Sequence, residues 1–162
     1  MYWGSVEAKS QLPDGFGVLA SKKTKSIHQG FFLNGEPNGS GVSFPGSGPQ
    51  VGWTIIGNFS KGKMNGKCKY ENAKNAADGS QVSFKFEGEF VAGVKSGYGK
   101  EFNEKGDSYE GQYAKDKKEG RGKQKIQATG TIYEGTWVND LKQGNFKVTA
   151  SDKVTFKVFA KD

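Results

Sequence analysis

An all-β fold made of repeated hairpins is the class this sequence predicts, and three observations predict it. A phrase recurs: Tyr109-Glu110-Gly111-Gln112-Tyr113 returns as Tyr133-Glu134-Gly135-Thr136-Trp137 and stands earlier as Phe86-Glu87-Gly88-Glu89-Phe90. Each copy is followed, nine residues after its glycine, by another glycine: Gly97, Gly120 and Gly144. The composition fits a thin core, with 25 Gly, 12 Phe, 6 Tyr and 3 Trp in a chain only 33% hydrophobic. A period in the twenties means one small element built repeatedly. It also argues against an enzyme, because an array offers an extended surface rather than a closed pocket. The aromatic content argues against disorder, and glycine without a strict three-residue period excludes collagen.

The elements follow in order from the anchor glycines Gly4, Gly30, Gly57, Gly88, Gly111 and Gly135, which give six copies starting near residues 2, 28, 55, 86, 109 and 133. Two residues before the anchors stand Tyr2, His28, Ile55, Phe86, Tyr109 and Tyr133. Two residues after them stand Val6, Phe32, Phe59, Phe90, Tyr113 and Trp137. Large, glycine, large at a period of two puts all three on one face of a strand. A turn follows at Asn34-Gly35, Lys61-Gly62, Ala92-Gly93, Lys115-Asp116 and Asn139-Asp140. A second strand is then expected from the Gly-x-Gly step, as in Gly97-Tyr98-Gly99 and Gly120-Arg121-Gly122, so each copy reads as a hairpin. The first copy departs, its second glycine, Gly15, coming two residues late after Pro13-Asp14. Glycine inside a strand serves close approach by another group. The expected group is an aromatic ring of the neighbouring copy.

The connectors vary. Residues 21–26 are polar and lysine-rich, and residues 45–50 (Pro-Gly-Ser-Gly-Pro-Gln) read as loop. Residues 71–80 lengthen the third copy as a short helical turn or an exposed loop. Residues 152–159 alternate as a strand without the repeat phrase and are expected to cap the array, since an open sheet edge invites unwanted pairing.

The phrase Tyr-Glu-Gly-x-[Tyr/Phe/Trp], the nine-residue glycine spacing and the Gly-x-Gly step together resemble the MORN (membrane occupation and recognition nexus) repeat. The likeness spans residues 2–147, is densest over residues 86–147, and departs at His28, Ile55, Val6, Cys68 and Phe146. It marks Phe86, Gly88, Phe90, Tyr109, Gly111, Tyr113, Tyr133, Gly135 and Trp137 as the structural positions of the repeat. The resemblance implies a single-layer, elongated, twisted antiparallel sheet, a rod or trough on the order of 60 Å long at about 4.8 Å per strand. It implies one array over residues 1–162, and scaffolding in cytoskeletal, ciliary or membrane-associated assemblies rather than catalysis.

Charge bounds the partners. The net charge is +7, and of 24 basic residues only Arg121 is an arginine. Lysine is a mobile point charge without the arginine fork, so loose attraction to an acidic surface is expected. The alignment exposes a row three residues after the second glycine: Lys69, Lys100, Lys123 and Lys147. Successive members would stand about 10 Å apart, two strand spacings. The row reads either as a ladder for an acidic partner or as a solvated face paired with Glu87, Glu110 and Glu134. A denser run holds Lys115, Lys117, Lys118, Arg121, Lys123 and Lys125, interleaved with Asp116 and Glu119. No nucleic-acid partner is expected, because the aromatics occupy repeat-defining positions rather than a stacking platform.

Catalytic chemistry is poorly supplied. His28 is the only histidine and sits in an aromatic core position, while Cys68, the only cysteine, sits in a glycine position. No metal site, nucleophile–base pair or cofactor is expected. Gly62-Lys63-Met64-Asn65-Gly66-Lys67-Cys68 is one residue short of a phosphate loop and lies in a hairpin. One cysteine suits a reducing compartment, no apolar run is long enough to span a bilayer, and the start lacks the pattern of a secretory signal. A cytoplasmic location is expected, at a cytoskeletal, ciliary or membrane surface.

The reading is a non-enzymatic scaffold or adaptor presenting an elongated groove, where a partner helix or extended segment would dock. Two alternatives stay open: a peripheral module for anionic phospholipids such as phosphoinositides, and a regulatory fragment of a larger enzyme such as a lipid kinase. Open array ends also leave room for a homo-oligomer.

Overall fold

The computed structural model describes residues 1–6, 12–48, 50–75 and 81–160. They form thirteen strands: β1 Tyr2–Val6, β2 Pro13–Ala20, β3 Ile27–Leu33, β4 Glu36–Phe44, β5 Thr54–Ser60, β6 Lys63–Asn75, β7 Gln81–Val91, β8 Val94–Phe102, β9 Ser108–Ala114, β10 Lys117–Lys125, β11 Ile132–Val138, β12 Leu141–Thr149 and β13 Thr155–Ala160. All belong to one open antiparallel sheet whose strand order is the sequence order. Two strands per copy account for β1 to β12, and β13 pairs along β12 from Gly144↔Ala160 to Thr149↔Thr155. Residues 71–75 extend β6 instead of forming a helical turn or loop, while residues 76–80 lie outside the described residues. The chain packs as two units, Met1–Asn72 with Phe90–Gly93, and Ala73–Glu89 with Val94–Asp162.

Five hairpin turns share one geometry. Both central residues take positive φ at Asn34-Gly35, Lys61-Gly62, Ala92-Gly93, Lys115-Asp116 and Asn139-Asp140, the signature of two-residue type I′ connections that match strand twist. The second residue of each turn also donates its N–H to the preceding copy. Gly35 reaches Pro13 O, Gly62 reaches Pro37 O and Gly93 reaches Met64 O in the first unit; Asp116 reaches Lys95 O and Asp140 reaches Lys118 O in the second. Where that residue is aspartate the tie is doubled, because Asp116 Oδ1 accepts from Lys95 N and Asp140 Oδ1 from Lys118 N, each at 2.8 Å.

In the second to sixth copies the second strands begin three residues earlier than the Gly-x-Gly step suggests, directly after the turn. The ninth-position glycine is instead an irregularity inside the strand. Lys118 faces Tyr113 and Gly122 faces Gly111, so four steps on β10 oppose two on β9, and Gly120 between them has φ +73°. This is a bulge built on a left-handed glycine.

The close approach is real, but its source differs from the expected one. In the first, second, fourth and fifth copies the ring two residues before the anchor folds over the glycines of its own hairpin. A Cβ on Gly111 would lie 2.6 Å from Tyr109 Oη, and one on Gly99 would lie 2.5 Å from Phe86 Cζ. The neighbouring copy supplies the next ring, edge on. Tyr2–Phe32 and His28–Phe59 meet at 5.4 and 4.8 Å between centroids in the first unit, and Phe86–Tyr113 and Tyr109–Trp137 at 5.2 and 5.3 Å in the second. Each such pair adds about 0.5–1.5 kcal/mol beyond area burial. A ring lying flat on glycine and closed by the next ring is how one layer buries Tyr109, Phe86, Phe90 and Phe146 almost completely.

The ring also closes a polar account. Tyr109 Oη donates to Gln112 O, and Tyr2 Oη donates to Ser5 O, each the carbonyl of the residue after the anchor. The third copy has Ile55 in the ring position and no hydroxyl. There Cys68 Sγ stands over Gly57 and donates to Asn58 O at 3.2 Å, the equivalent carbonyl. Burial pushes the Cys68 thiol up, so it stays protonated and able to donate.

His28 occupies the ring position of the second copy, edge on to Phe32 and Phe59, and among the described residues neither ring nitrogen has a hydrogen-bond partner. Burial lowers its pKa, so the folded state holds it neutral. The unfolded chain takes up a proton near the ordinary value of about 6.5. Stability from this site is therefore full above that pH and is lost as pH falls from there toward the lowered folded pKa. His28→Phe is expected to raise the melting temperature and to flatten that part of the profile, as measured by thermal unfolding from neutral to mildly acidic pH. An unchanged slope in the variant would show that His28 is not the group responsible.

Candidate docking face

Alternation along β9 to β12 fixes which side chains can meet a partner. Tyr109, Gly111 and Tyr113 face the buried aromatic side, so Glu110 and Gln112 face the other. Register then gathers one charged face in the second unit. Lys123 stands opposite both Glu110 and Glu134, and Lys147 stands opposite Glu134. Lys123 Nζ lies 3.0 Å and Lys147 Nζ 3.6 Å from the Glu134 carboxylate, while Lys100 Nζ lies 3.7 Å from that of Glu110. Tyr98 Oη donates to Glu110 Oε1 at 2.8 Å. An open groove of about 510 Å³ runs here over Gly111, Gly122 and Gly135, walled by Tyr98, Glu110, Arg121, Lys123, Glu134 and Asn145.

Three of the four row lysines, Lys100, Lys123 and Lys147, thus share one face of one unit, alternating with glutamates. Lys69 lies in the first unit and pairs with Glu71 at 3.0 Å. The dense run does not form one patch. Lys117, Arg121, Lys123 and Lys125 are exposed, Lys115 sits in the turn, and Lys118 turns to the aromatic side with Nζ 4.8 Å from the Tyr109 ring centre. Of the repeat-defining side chains, Phe86, Phe90, Tyr109, Tyr113 and Trp137 are buried and Tyr133 is half-buried. The aromatic stripe is core, and the accessible groove lies across the sheet from it.

A second lysine row recurs in the sequence. Seven residues after the last three anchors stand Lys95, Lys118 and Lys142. Their ammonium groups lie over rings: Lys95 is 4.3 Å from Phe86, and Lys142 is 4.2 Å from Tyr133 and 5.0 Å from Trp137. Lys95 is largely buried and bridges to Glu101 at 2.6 Å. Burial, with Lys118 nearby, lowers the Lys142 pKa. These stems shield the rings rather than face a partner.

The charged face suits recognition rather than reaction. Hydrogen bonds from Lys123 and Lys147 hold the Glu134 carboxyl below the usual carboxylate range, so it is ionised at neutral pH. Isolated exposed pairs of this kind contribute about 0.2–1 kcal/mol each. Cys68 and His28 are buried, and among the described residues no group of three His, Cys, Asp or Glu is placed to hold a metal ion. Among the same residues no helix is long and apolar enough to cross a membrane.

A family model describing the MORN repeat matches five segments, residues 28–45, 56–75, 86–108, 109–126 and 133–145. The first hairpin, β1–β2, precedes them. None of the curated proteins compared with the chain matches it.

Proposed function

Because this chain belongs to the MORN repeat family, whose members are modules that bind proteins or membranes, we propose that it is a non-catalytic scaffold that docks a protein partner along the charged face of β8 to β12. One observation carries the reading. The rings that define the repeat, all but the half-buried Tyr133, are locked in core, while Lys100, Lys123 and Lys147 alternate with Glu110 and Glu134 on the open side. Alternating signs on neighbouring strands select a partner segment of complementary pattern and penalise a mismatched one. The same alternation weakens the case for a bulk anionic surface, because each of these lysines is already partly neutralised by a glutamate. A scaffold of this kind would serve cytoskeletal or membrane-associated assemblies, with its partner held by many modest contacts.

The test uses the whole chain. Quantitative pull-down with the triple variant Lys100→Glu, Lys123→Glu and Lys147→Glu is expected to lose a salt-sensitive subset of partners while circular dichroism and melting stay near wild type. Retention of every partner would refute docking on this face. Loss of binding to phosphoinositide-containing vesicles, with protein capture intact, would favour the lipid reading instead.

A further inference from the structure

The face that is charged in the second unit is apolar over β1 to β5 of the first, before Lys69 and Glu71 on β6 bring charge back to it. At the row position that holds Lys100, Lys123 and Lys147, the second copy has Val42, and beside it stand Ile56 on β5 and Gln29 on β3. Around them Trp3, Phe16, Ile27, Phe31, Phe44 and Ile56 are each between 43% and 57% exposed. Register makes them neighbours: Phe16 pairs with Phe31, Ile27 with Phe44, and Val42 with Ile56. Phe16 and Phe31 meet edge on at 5.5 Å, so the patch is ordered by its own contacts. At about 200 Å² per large side chain, these six leave on the order of 600 Å² of apolar surface open, at the upper end of what a monomer's largest patch shows.

Charge indicates the occupant. At one border a shallow groove of about 300 Å³ is lined by Met1, Trp3, Ala20 and Ile27, with Lys22 and Lys25 at its lip. Lys22, Lys23 and Lys25 are all exposed, and among the described residues none of the three has an ion-pair partner. The row lysines elsewhere are paired; among the described residues these are not. A second copy would bring the same unpaired lysines and another net charge of +7, so charge disfavours self-packing here. The patch crosses β1 to β5, which at about 4.8 Å per spacing is about 19 Å, the length of a helix of about 13 residues.

We propose that this face docks an amphipathic helix whose apolar stripe lies across Trp3, Phe31 and Ile56 and whose acidic end pairs with Lys22, Lys23 and Lys25. The inference goes beyond the docking reading above. It concerns another unit and another chemistry, and either can fail alone. The apolar stripe supplies anchors at helical spacing, and the lysines set orientation.

The experiment titrates the full chain into a fluorescently labelled synthetic amphipathic peptide with a Leu/Phe stripe and glutamates on its polar side and at one end. A second peptide keeps the stripe and replaces every glutamate with lysine. The acidic peptide is expected to bind saturably and at least about tenfold tighter than the basic one. Phe31→Ser is expected to weaken it by about tenfold or more, as loss of a central anchor does. The surface variant Lys22→Glu, Lys23→Glu, Lys25→Glu, which leaves the core untouched, should erase the preference for the acidic peptide. Equal binding of both peptides, or binding unchanged in both variants, overturns the proposal. So does association only with vesicles of phosphatidylcholine and phosphatidylserine, or a stable dimer in light scattering that the acidic peptide does not enter.

Discussion

Gly122→Ala is expected to destabilise the fold by about 3 kcal/mol, the upper part of the usual range for overpacking a filled core. Gly122 has ordinary extended backbone, so its need for glycine is not conformational. A Cβ there would stand 2.5 Å from Tyr109 Cζ and 2.6 Å from Tyr109 Cε2. The ring cannot retreat easily. It is almost fully buried, edge on to Tyr113 and Trp137 at 5.3 Å each, and covered by Lys118. Gly144→Ala is the contrast, because among the described residues beyond its chain neighbours no atom lies within 4 Å of its Cβ position, and only the left-handed φ of +74° resists. That strain costs about 1–2 kcal/mol. A double-mutant cycle in chemical denaturation separates the cases. Tyr109→Ala alone should cost about 3–5 kcal/mol, and adding Gly122→Ala to it should cost almost nothing, since the methyl then enters vacated space. A Gly122→Ala protein within about 0.5 kcal/mol of wild type would refute the ring-on-glycine account.

How much of this could be read beforehand divides along physical lines. The anchors, the turn pairs and the alternation are local, and Asn34-Gly35 or Tyr109-Glu110-Gly111 announce themselves by residue type at fixed spacing. Which ring covers which glycine is a question of side-chain direction. Spacing alone could not tell that Tyr109 folds over its own hairpin while Trp137 closes it from the next. The start of β10 at Lys117, and not at Gly120, has a related reason. Gly120 reads as the beginning of a strand, but its left-handed φ serves a bulge inside one. Cys68 looked like a lapse in the glycine row, and only the shared carbonyl position shows it doing for Asn58 what Tyr109 does for Gln112.

The candidate faces were half legible. Lys100, Lys123 and Lys147 emerged from alignment because a charge at a constant offset is visible in one dimension. Lys95, Lys118 and Lys142 recur just as regularly, yet their offset alone could not reveal that they lie on rings. The change from Val42 to Lys100 at one register position is also written in the sequence. Its meaning needs the pairing of Phe16 with Phe31 and of Ile27 with Phe44, which joins scattered apolar residues into one patch.

The sixth copy gives the sharpest test of these rules, because a second ring stands in a glycine position. Phe146 stands where the Gly-x-Gly step has its second glycine. Its ring occupies the space over Gly135, where a Cβ would lie 2.7 Å from Phe146 Cδ1. It is 1% exposed and meets Trp137 edge on at 5.6 Å. Tyr133, in the ring position, is displaced to half-burial beneath Lys142. Phe146→Ala is therefore expected to cost about 3–5 kcal/mol, as buried aromatic truncations do, whereas Tyr133→Ala should cost about 1 kcal/mol. Phe146→Gly breaks the usual order. Glycine in a strand normally costs about 0.5–1 kcal/mol more than alanine, yet here it opens the floor on which the Tyr133 ring can lie down, as Tyr109 does over Gly111 and Gly122. An alanine methyl at 146 would block that movement. Phe146→Gly is thus expected to be more stable than Phe146→Ala in denaturant unfolding. In the Phe146→Gly background, Tyr133→Ala should become as costly as Tyr109→Ala is in the wild type. If alanine proves the better residue at 146, Tyr133 does not take the ring's place, and position in the repeat does not by itself direct the ring onto glycine.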